Sequence, residues 1–194
     1  LLGEDGPADP DWLAALEARM AEHGAAIDAA RRALIAELEE EIARSAQHLF
    51  ARPTLRLTGE PFEEGALAAR LRSARTGDRA AGRTLVGPHR ADLLVTHEAK
   101  QQDAALCSTG EQKALLLSIM LAHAQLVGTQ SGRPLIILLD EVAAHLDPTR
   151  RHALFERLRA SGGQVWMTGT EADLFNGLDQ ATYLRVEAGQ VITG

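Results

Sequence analysis

A short apolar run that ends in two acids constrains this chain more than any other feature of its sequence. The run covers residues 135–139 and leads directly into Asp140 and Glu141. A continuous apolar run of this length predicts a strand that is buried on both faces, as in α/β proteins. A predicted helix over 149–160 and a second apolar strand over 164–168 follow it. This alternation of strands and helices predicts an α/β layer architecture for the C-terminal half.

The two acids stand where ligands bind in open α/β sheets, at the carboxyl end of a strand. A carboxylate at that place can hold Mg²⁺ through water, which suits Asp140. The next carboxylate, Glu141, can orient or deprotonate an attacking water. The alternative is structural, because acids also cap strands and begin loops. Leu146 and Asp147 follow at a spacing that favours the functional interpretation.

A second polar motif covers residues 108–113 and opens a long predicted helix. The backbone N–H groups of a helix start, the hydroxyl of Ser108 and the ammonium of Lys113 together form an anion site. The alternative is an N-cap box, in which a hydroxyl at position 108 or 109 caps the helix and a side chain at 111 or 112 reaches back. The box accounts for the helix end, but it does not account for Gly110 and Lys113 beside it.

The N-terminal part of the chain predicts two helices. Asp9, Pro10 and Asp11 form a helix start, with a capping carboxylate followed by proline at the first helical position. The first helix is expected to stop near Gly24, and a second to run over 25–50 with one apolar stripe. This pattern allows an antiparallel hairpin that projects as an arm, and equally an ordinary bundle. The remaining elements are predicted as strands at 54–58 and 91–96, a helix at 62–75, a loop at 77–88 and a closing hairpin within 181–193.

The charge of the chain is unevenly distributed. A net charge of −7 excludes a uniformly basic coat for nucleic acid. Residues 70–90 nevertheless hold six arginines and one acid, so this island is the candidate for DNA phosphate contacts. The alternative is a solvated face. A single cysteine excludes an internal disulfide, and no membrane span is expected. The four arginines selected as DNA contacts are Arg72, Arg75, Arg79 and Arg83.

Four segments of the chain resemble the RecF family of bacterial DNA replication and repair proteins, within the ABC/SMC class of ATPases. They are residues 87–93, 107–115, 138–147 and 168–171. The resemblance implies the C-terminal lobe of an ABC-type ATPase head, with central strands flanked by helices, and an N-terminal helical arm subdomain. It assigns the arm to residues 1–90. It assigns the lobe, with the signature, Walker B and D-loop motifs, to residues 91–194.

The resemblance also implies roles for the signature motif, which is residues 108–113. Ser108 and Gly110 are expected to contact the γ-phosphate of an ATP molecule that is bound to the opposite subunit. Thr109 and Lys113 belong to the same nucleotide-binding group. The two halves of the nucleotide site therefore meet only when two heads face each other.

The other motifs receive their roles in the same way. Asp140 is expected to serve Mg²⁺, Glu141 to be the general base and Asp147 to couple the two sites across the dimer. Thr170 stands near the place where many ABC ATPases have a switch histidine, and it is expected to sense the γ-phosphate by hydrogen bonding. The implied cofactors are ATP and Mg²⁺.

In RecF-like proteins ATP drives head dimerisation on DNA at single-strand gaps, and slow hydrolysis releases the clamp. The resemblance therefore implies a cytoplasmic protein of recombinational repair, replication restart and the SOS response. Its implied partners are DNA, a second copy of itself, RecR and RecO. An alternative from another class is an interaction module that binds partner proteins without nucleotide. A transporter subunit is disfavoured because the predicted arm has no place in one.

A Walker A loop is needed for an intact ATPase of this class. The nearest match, residues 77–84, is rejected because an arginine replaces the lysine and a predicted helix, rather than a strand, precedes it. The chain is therefore expected to be the C-terminal portion of a longer protein. On its own it is expected to bind ATP feebly and not to turn it over.

Overall fold

The computed structural model describes residues 9–44 and 51–193 of the chain. Its contacts divide the chain into two compact units, with the division between Leu126 and Val127. The units are described one after the other below. The predicted division into a helical arm subdomain over 1–90 and a lobe over 91–194 stays a prediction.

The first unit combines helices with a small antiparallel sheet. The sheet has the order β1-β2-β3, and Leu55 of β1 lies opposite Val95 of β2. Side chains along β1 alternate between buried and exposed, so Leu55 and Leu57 face the core while Arg56 faces solvent. The elements are α1 (Pro10–Arg44), β1 (Pro53–Leu57), α2 (Glu64–Ala81), β2 (Leu93–His97), β3 (Gln102–Asp103) and α3 (Thr109–Ser131), whose last turns belong to the second unit.

The predicted break at Gly24 is wrong, because α1 is one continuous helix of 35 residues. Its start is as predicted: Oδ1 of Asp9 accepts a hydrogen bond from the N–H of Asp11 at 2.9 Å. Gly24 is buried inside the helix, where an added Cβ would lie 2.8 Å from Cδ2 of Leu67 and 3.4 Å from Cδ of Pro88. The glycine therefore permits a close approach of other elements rather than a turn.

The predicted apolar stripe of the second helix is only partly buried. Leu38 and Ile42 pack with Leu55 of β1 and with Ala122 and Leu126 of α3 in one core cluster. Further members of the stripe behave differently: Ile27 and Leu34 are exposed, and Leu49 lies outside the described residues.

Polar side chains of α1 reach the neighbouring elements. Oε1 of Glu39 accepts a hydrogen bond from the N–H of Leu55 at 2.6 Å. Asp28 is buried, and its Oδ2 accepts hydrogen bonds from Nε of Arg32 at 2.8 Å and from the N–H of Phe62 at 3.2 Å. The predicted apolar stripe therefore does not describe the buried face of this helix, which also includes polar side chains.

α2 extends six residues beyond its predicted end, so the expected loop from Gly77 is wrong over its first part. The helix ends at Ala81, and Gly82 follows in the left-handed conformation that commonly terminates helices. Asp78 stays buried, and its Oδ1 accepts a hydrogen bond from the N–H of Leu85 at 2.9 Å. The segment rejected as a phosphate loop is thus the end of a helix and the turn after it.

One helix, α3, is long and apolar enough to cross a membrane by length and composition alone. The same property is expected of a helix in the core of a soluble domain. Seven of its residues are buried, among them Ala114, Leu115 and Leu121. Ser118 on the same helix donates a hydrogen bond to the carbonyl oxygen of Ala51 at 2.9 Å. These contacts favour a core helix.

The second unit has the strand–helix–strand order that the sequence predicts. Its elements are β4 (Ile136–Leu139), α4 (Pro148–Ala160), β5 (Gln164–Met167) and the antiparallel hairpin of β6 (Leu184–Glu187) with β7 (Gln190–Thr193). β4 pairs with β5 in parallel, with Ile136 opposite Gln164. In the described residues, β4 is buried on one face at most, because Ile136 and Leu138 are 68% and 70% exposed. The predicted burial on both faces is therefore wrong for this unit.

Candidate functional site

The carboxyl ends of β4 and β5 bring an acid and a threonine together at one edge of the sheet. Leu139 lies opposite Met167 in the parallel register, so Asp140 and Thr168 both follow at the same edge. The backbone N–H of Thr168 donates to the carbonyl oxygen of Leu139 at 3.0 Å and extends the ladder. The pairing therefore makes neighbours of two residues that are 28 positions apart.

The hydroxyl of Thr168 connects both candidate acids. It donates a hydrogen bond to Oδ1 of Asp140. It also accepts a hydrogen bond from the backbone N–H of Glu141 at 3.0 Å. A hydroxyl can do both because it carries one donor and two acceptor lone pairs. Thr168 thus orients one carboxylate and the backbone of the next residue, and the sequence analysis did not select it as a site residue.

Glu141 adopts an uncommon backbone conformation. Its φ is 51°, in the left-handed region that residues other than glycine seldom occupy. Such conformations cost about 1–3 kcal/mol and cluster at functional sites. The hydrogen bond from its N–H to Thr168 holds this turn, and the side chain is exposed to solvent. The carboxylate of Glu141 is therefore placed where a water molecule can reach it.

The donor set at this edge fits one common mode of Mg²⁺ binding. Asp140 is exposed, and one of its oxygens is bound to Thr168. Within residues 9–44 and 51–193, no group of three or more His, Cys, Asp or Glu side chains could hold a metal ion alone. Mg²⁺ is commonly bound through one or two carboxylates together with substrate phosphates and water. The arrangement suits that mode and not a cage built entirely from protein.

Asp147 has a clear structural role. It is the N-cap of α4, and its Oδ1 accepts a hydrogen bond from the N–H of Arg150 at 2.9 Å. Pro148 occupies the first helical position after it, one residue before the predicted start of the helix. The cap accounts for an acid at this place, and the coupling role of Asp147 stays a prediction.

The segment after β5 is held by close packing. An added Cβ at Gly169 would lie 2.8 Å from Cζ of Phe175, so only glycine fits there without a shift. Thr170 is exposed, and its predicted role as γ-phosphate sensor stays a prediction. The role of Thr168 follows from the parallel pairing of β4 with β5, which the sequence does not contain.

The signature motif of the first unit forms the predicted N-cap box. Oε2 of Glu111 accepts hydrogen bonds from the backbone N–H of Ser108 at 3.0 Å and from its hydroxyl at 2.9 Å. Glu111 also forms an ion pair with Lys100. The hydrogen bond from Lys100, followed by those from Ser108, lowers the pKa of Glu111 to about 2. The same carboxylate raises the pKa of Lys100.

The rest of the motif presents an open surface at the start of α3. Thr109, Gly110 and Lys113 are exposed, and nothing lies within 4 Å of a Cβ added at Gly110. Gln112 has a structural role, because its Nε2 donates hydrogen bonds to the carbonyl oxygens of Ala104 and Cys107 at 2.9 and 3.2 Å. The N-cap box and an open face for an anion therefore coexist, and the nucleotide contacts of these residues stay predictions.

The arginines selected as DNA contacts do not share one environment. Arg75 forms an ion pair with buried Glu17 of α1, with Nε–Oε1 at 2.5 Å and Nη2–Oε2 at 2.8 Å. This bidentate pair raises the pKa of Arg75. Arg72, Arg79 and Arg83 are exposed. DNA contact by the four stays a prediction, and Arg75 already has a partner within the chain.

Comparison with known proteins finds close relatives in sequence. A scan against protein-family models gives no match. The DNA replication and repair protein RecF of Rhizobium etli (strain CIAT 652) is 46% identical over 203 residues, which covers 97% of this chain and 53% of that protein. RecF of Brucella abortus (strain 2308) is 48% identical over 207 residues, covering 96% and 52%. The chain thus spans about half the length of the curated relatives it matches.

Solved structures give the same fold. The structure of the recombination mediator protein RecF with ATP in the RecFOR pathway matches with a TM-score of 0.77 at 21% identity, covering 95% of this chain and 52% of that one. The structure described as RecF-ATPrS matches with a TM-score of 0.76 over 99% of this chain and 53% of that one. The predicted α/β fold, the C-terminal lobe of an ABC-type ATPase head with a helical arm, is confirmed. In sequence and in fold the chain is RecF-like over nearly its whole length, and it corresponds to about half of a RecF protein.

Proposed function

We propose that this chain supplies one half of the composite nucleotide site in an ATP-dependent DNA clamp. The clamp acts in DNA replication and recombinational repair at single-strand gaps, in the cytoplasm. Similarity to RecF proteins supports the role in DNA replication and repair. One structural observation supports the proposed ATP hydrolysis. That observation is the pair Asp140 and Glu141 at the carboxyl end of β4, with both residues bonded to the hydroxyl of Thr168.

The acids receive different tasks in this proposal. Asp140 would hold Mg²⁺, directly or through water, and the ion would neutralise charge on the transferred phosphate. Glu141 orients the attacking water and accepts its proton. Its left-handed turn points the backbone N–H at Thr168, which fixes the direction in which the side chain leaves the backbone. Thr168 positions Asp140 and the backbone of Glu141.

The opposite face of the nucleotide is proposed to come from the first unit of a second copy. Ser108 and Gly110 contact the γ-phosphate there, with Thr109 and Lys113 beside them, because a helix start with an exposed hydroxyl and ammonium favours an anion. ATP therefore brings two copies together, and Asp147 passes the state of one site to the other. Because the acids come from one copy and the signature motif from another, hydrolysis requires a dimer.

Partners of the whole protein are part of the same proposal. The solved RecF structures are described as parts of the RecFOR pathway, which supports RecR and RecO as partners of this chain. DNA is the substrate on which the dimer closes. Thr170 is retained as the proposed sensor of the γ-phosphate.

The test uses a hybrid protein, because the chain spans about half of its relatives. Residues 1–194 replace the matching half of the Rhizobium etli RecF, whose other half is expected to provide the Walker A loop. ATP hydrolysis, dimer formation and retention of DNA are measured with and without ATP. In this background Glu141→Gln is expected to lower the hydrolysis rate about 100-fold or more while ATP-dependent dimerisation persists.

A matched control separates the loss of the general base Glu141 from the loss of any one negative charge. Glu156 is an exposed acid on α4 of the same unit, paired with Arg159. Glu156→Gln is expected to leave hydrolysis unchanged. The 194-residue chain alone is expected to bind ATP feebly without turnover. A hybrid that folds and binds DNA but shows no ATP-dependent dimer contradicts the proposal and favours the interaction-module alternative.

A further inference from the structure

The hydroxyl proton of Ser108 is already used within the chain. A serine hydroxyl carries one donor and two acceptor lone pairs. It donates to Oε2 of Glu111 at 2.9 Å, and the backbone N–H of Ser108 donates to the same oxygen at 3.0 Å. The pKa of Glu111 is about 2, so its carboxylate is ionised at neutral pH and only accepts. Both donors of Ser108 therefore point at one anionic oxygen that belongs to the chain itself.

This contact goes beyond an ordinary N-cap box. In such a box the serine hydroxyl accepts from the backbone N–H three residues on, and the glutamate reaches back to the N–H of the serine. Here the hydroxyl accepts from the N–H of Glu111 at a long 3.4 Å, and it also donates its own proton to the carboxylate. In the proposed function that proton is the one that a γ-phosphate oxygen accepts, so Glu111 and the γ-phosphate require the same donor.

A lysine from another element binds the second oxygen of this carboxylate. Lys100 ends a short helical turn, Glu98–Lys100, that lies between β2 and β3 and outside the signature motif. Its ammonium donates to Oε1 of Glu111, the oxygen that Ser108 does not use. The side chain of Lys100 is 49% exposed and that of Glu111 is 24% exposed, so neither is locked in a core. Glu111 can therefore leave Ser108 and keep Lys100 as its partner.

We propose that Glu111 is a positioning residue that occupies the donors of Ser108 until a phosphate anion displaces it, and that Lys100 retains the displaced carboxylate. The inference rests on the proposed function, because it takes Ser108 as a γ-phosphate contact. Two anions at one pair of donors repel each other, and the ammonium of Lys100 offsets the charge of Glu111 and lowers this repulsion. The pair thus sets the ATP concentration at which two copies join.

Glu111→Gln separates this competition from helix capping. Glutamine also closes an N-cap box, so the helix start is kept while the negative charge is removed. In the hybrid protein, the ATP concentration for half-maximal dimerisation is expected to fall about tenfold, because a neutral amide competes less well for the hydroxyl proton. Loss of a residue that only caps the helix gives no such gain. Glu22→Gln is the matched control, since Glu22 is an exposed acid of α1 that is paired with Arg19, and it is expected to leave that concentration unchanged.

Lys100→Met tests the second half of the pair. Glu111 then keeps its charge without the cation that offsets it, so the ATP concentration for half-maximal dimerisation is expected to rise about tenfold. The double variant Lys100→Met with Glu111→Gln is expected to behave like Glu111→Gln alone, because Lys100 acts through Glu111. An effect of Lys100→Met that persists in the double variant overturns the role of Lys100. An unchanged or raised ATP concentration in Glu111→Gln overturns the whole inference.

Ser108→Ala distinguishes a failure of this inference from a failure of the proposed function. If the alanine variant dimerises with ATP as readily as the unchanged hybrid, the γ-phosphate role of Ser108 is wrong and the inference falls with it. If it dimerises poorly but Glu111→Gln shows no gain, the competition is overturned and the proposed function stands.

A hybrid without any ATP-dependent dimer contradicts the proposed function, and a second measurement then decides the inference. Inorganic triphosphate is titrated into the 194-residue chain, and binding is followed by the NMR shift of the Ser108 N–H. About tenfold tighter binding by Glu111→Gln supports the competition. Equal affinity of the chain and of Glu111→Gln overturns it.

Discussion

The hydroxyl of Thr168 donates a hydrogen bond to Asp140 while it accepts one from the backbone N–H of Glu141. One side chain directly after β5 therefore binds the carboxylate of Asp140 and the backbone of Glu141. Replacing a residue that orients a metal ligand typically costs about 10–100-fold in metal affinity or activity. Thr168 belongs in the proposed site for that reason, as a positioning residue.

Replacing Thr168 by valine keeps the shape of the side chain and removes the hydroxyl. Asp140 then loses a donor and the N–H of Glu141 loses an acceptor, so we expect ATP hydrolysis by the hybrid protein to fall about 10–100-fold. Thr168→Ser retains the hydroxyl and is expected to keep most of the activity. The apparent affinity for Mg²⁺ is measured alongside the rate, because a change of fold alone does not raise the Mg²⁺ requirement selectively. Equal activity of both variants removes Thr168 from the site.

The pKa of Glu111 gives a prediction about pH. Its folded-state value of about 2 lies below the ordinary 4.5, so between these values the unfolded chain binds more protons than the folded one. The contribution of Glu111 to the free energy of unfolding is therefore complete above pH 4.5, and it is lost as the pH falls toward 2. Urea unfolding of the chain and of Glu111→Gln measures it.

We expect the stability difference between the chain and Glu111→Gln to be largest near neutral pH and to shrink in acid. Glu171→Gln removes an exposed acid of the second unit and gives the baseline for the same pH series. A difference that stays constant from neutral pH to acid contradicts the hydrogen bonding described for Glu111.

The sequence was sufficient to predict the two strands that carry the candidate site of the second unit, but not the contacts between the residues that follow them. Apolar runs before Asp140 and before Thr168 indicated two strands, and both are present. The importance of Thr168 depends on which strand pairs with which and in which direction. That pairing involves residues far apart in the chain, so no local pattern contains it.

In the first unit, a local pattern predicted a helix end that the structure does not have. Gly24 was interpreted as the end of a helix because glycine weakens helices. In the structure its missing side chain makes room for Leu67 and Pro88, so α1 runs on without a break. Local propensity and tertiary packing give different predictions for such a glycine, and only the neighbouring elements decide between them.

Alanine at Gly24 tests this interpretation. The helix gains about 0.5–1 kcal/mol from alanine, but the added Cβ meets Leu67 in a buried cluster, and such overpacking costs about 1–3 kcal/mol. We therefore expect Gly24→Ala to lower the free energy of unfolding. Gly77→Ala is the matched control in α2, where an added Cβ would lie 3.6 Å from Cδ1 of Leu85, an ordinary contact distance. That substitution is expected to stabilise the chain, and stabilisation by both indicates that Gly24 is not tightly packed.

Two substitutions of Asp147 separate its structural role from the proposed coupling role. Asparagine caps helices about as well as aspartate, whereas alanine loses about 1 kcal/mol of stability at an N-cap. We expect Asp147→Asn to melt at nearly the same temperature as the unchanged chain, and Asp147→Ala to melt lower. If the carboxylate couples two nucleotide sites, Asp147→Asn in the hybrid protein slows ATP hydrolysis although the helix remains capped. Full activity of Asp147→Asn shows that capping of α4 is sufficient to explain this aspartate, and the coupling role is then withdrawn.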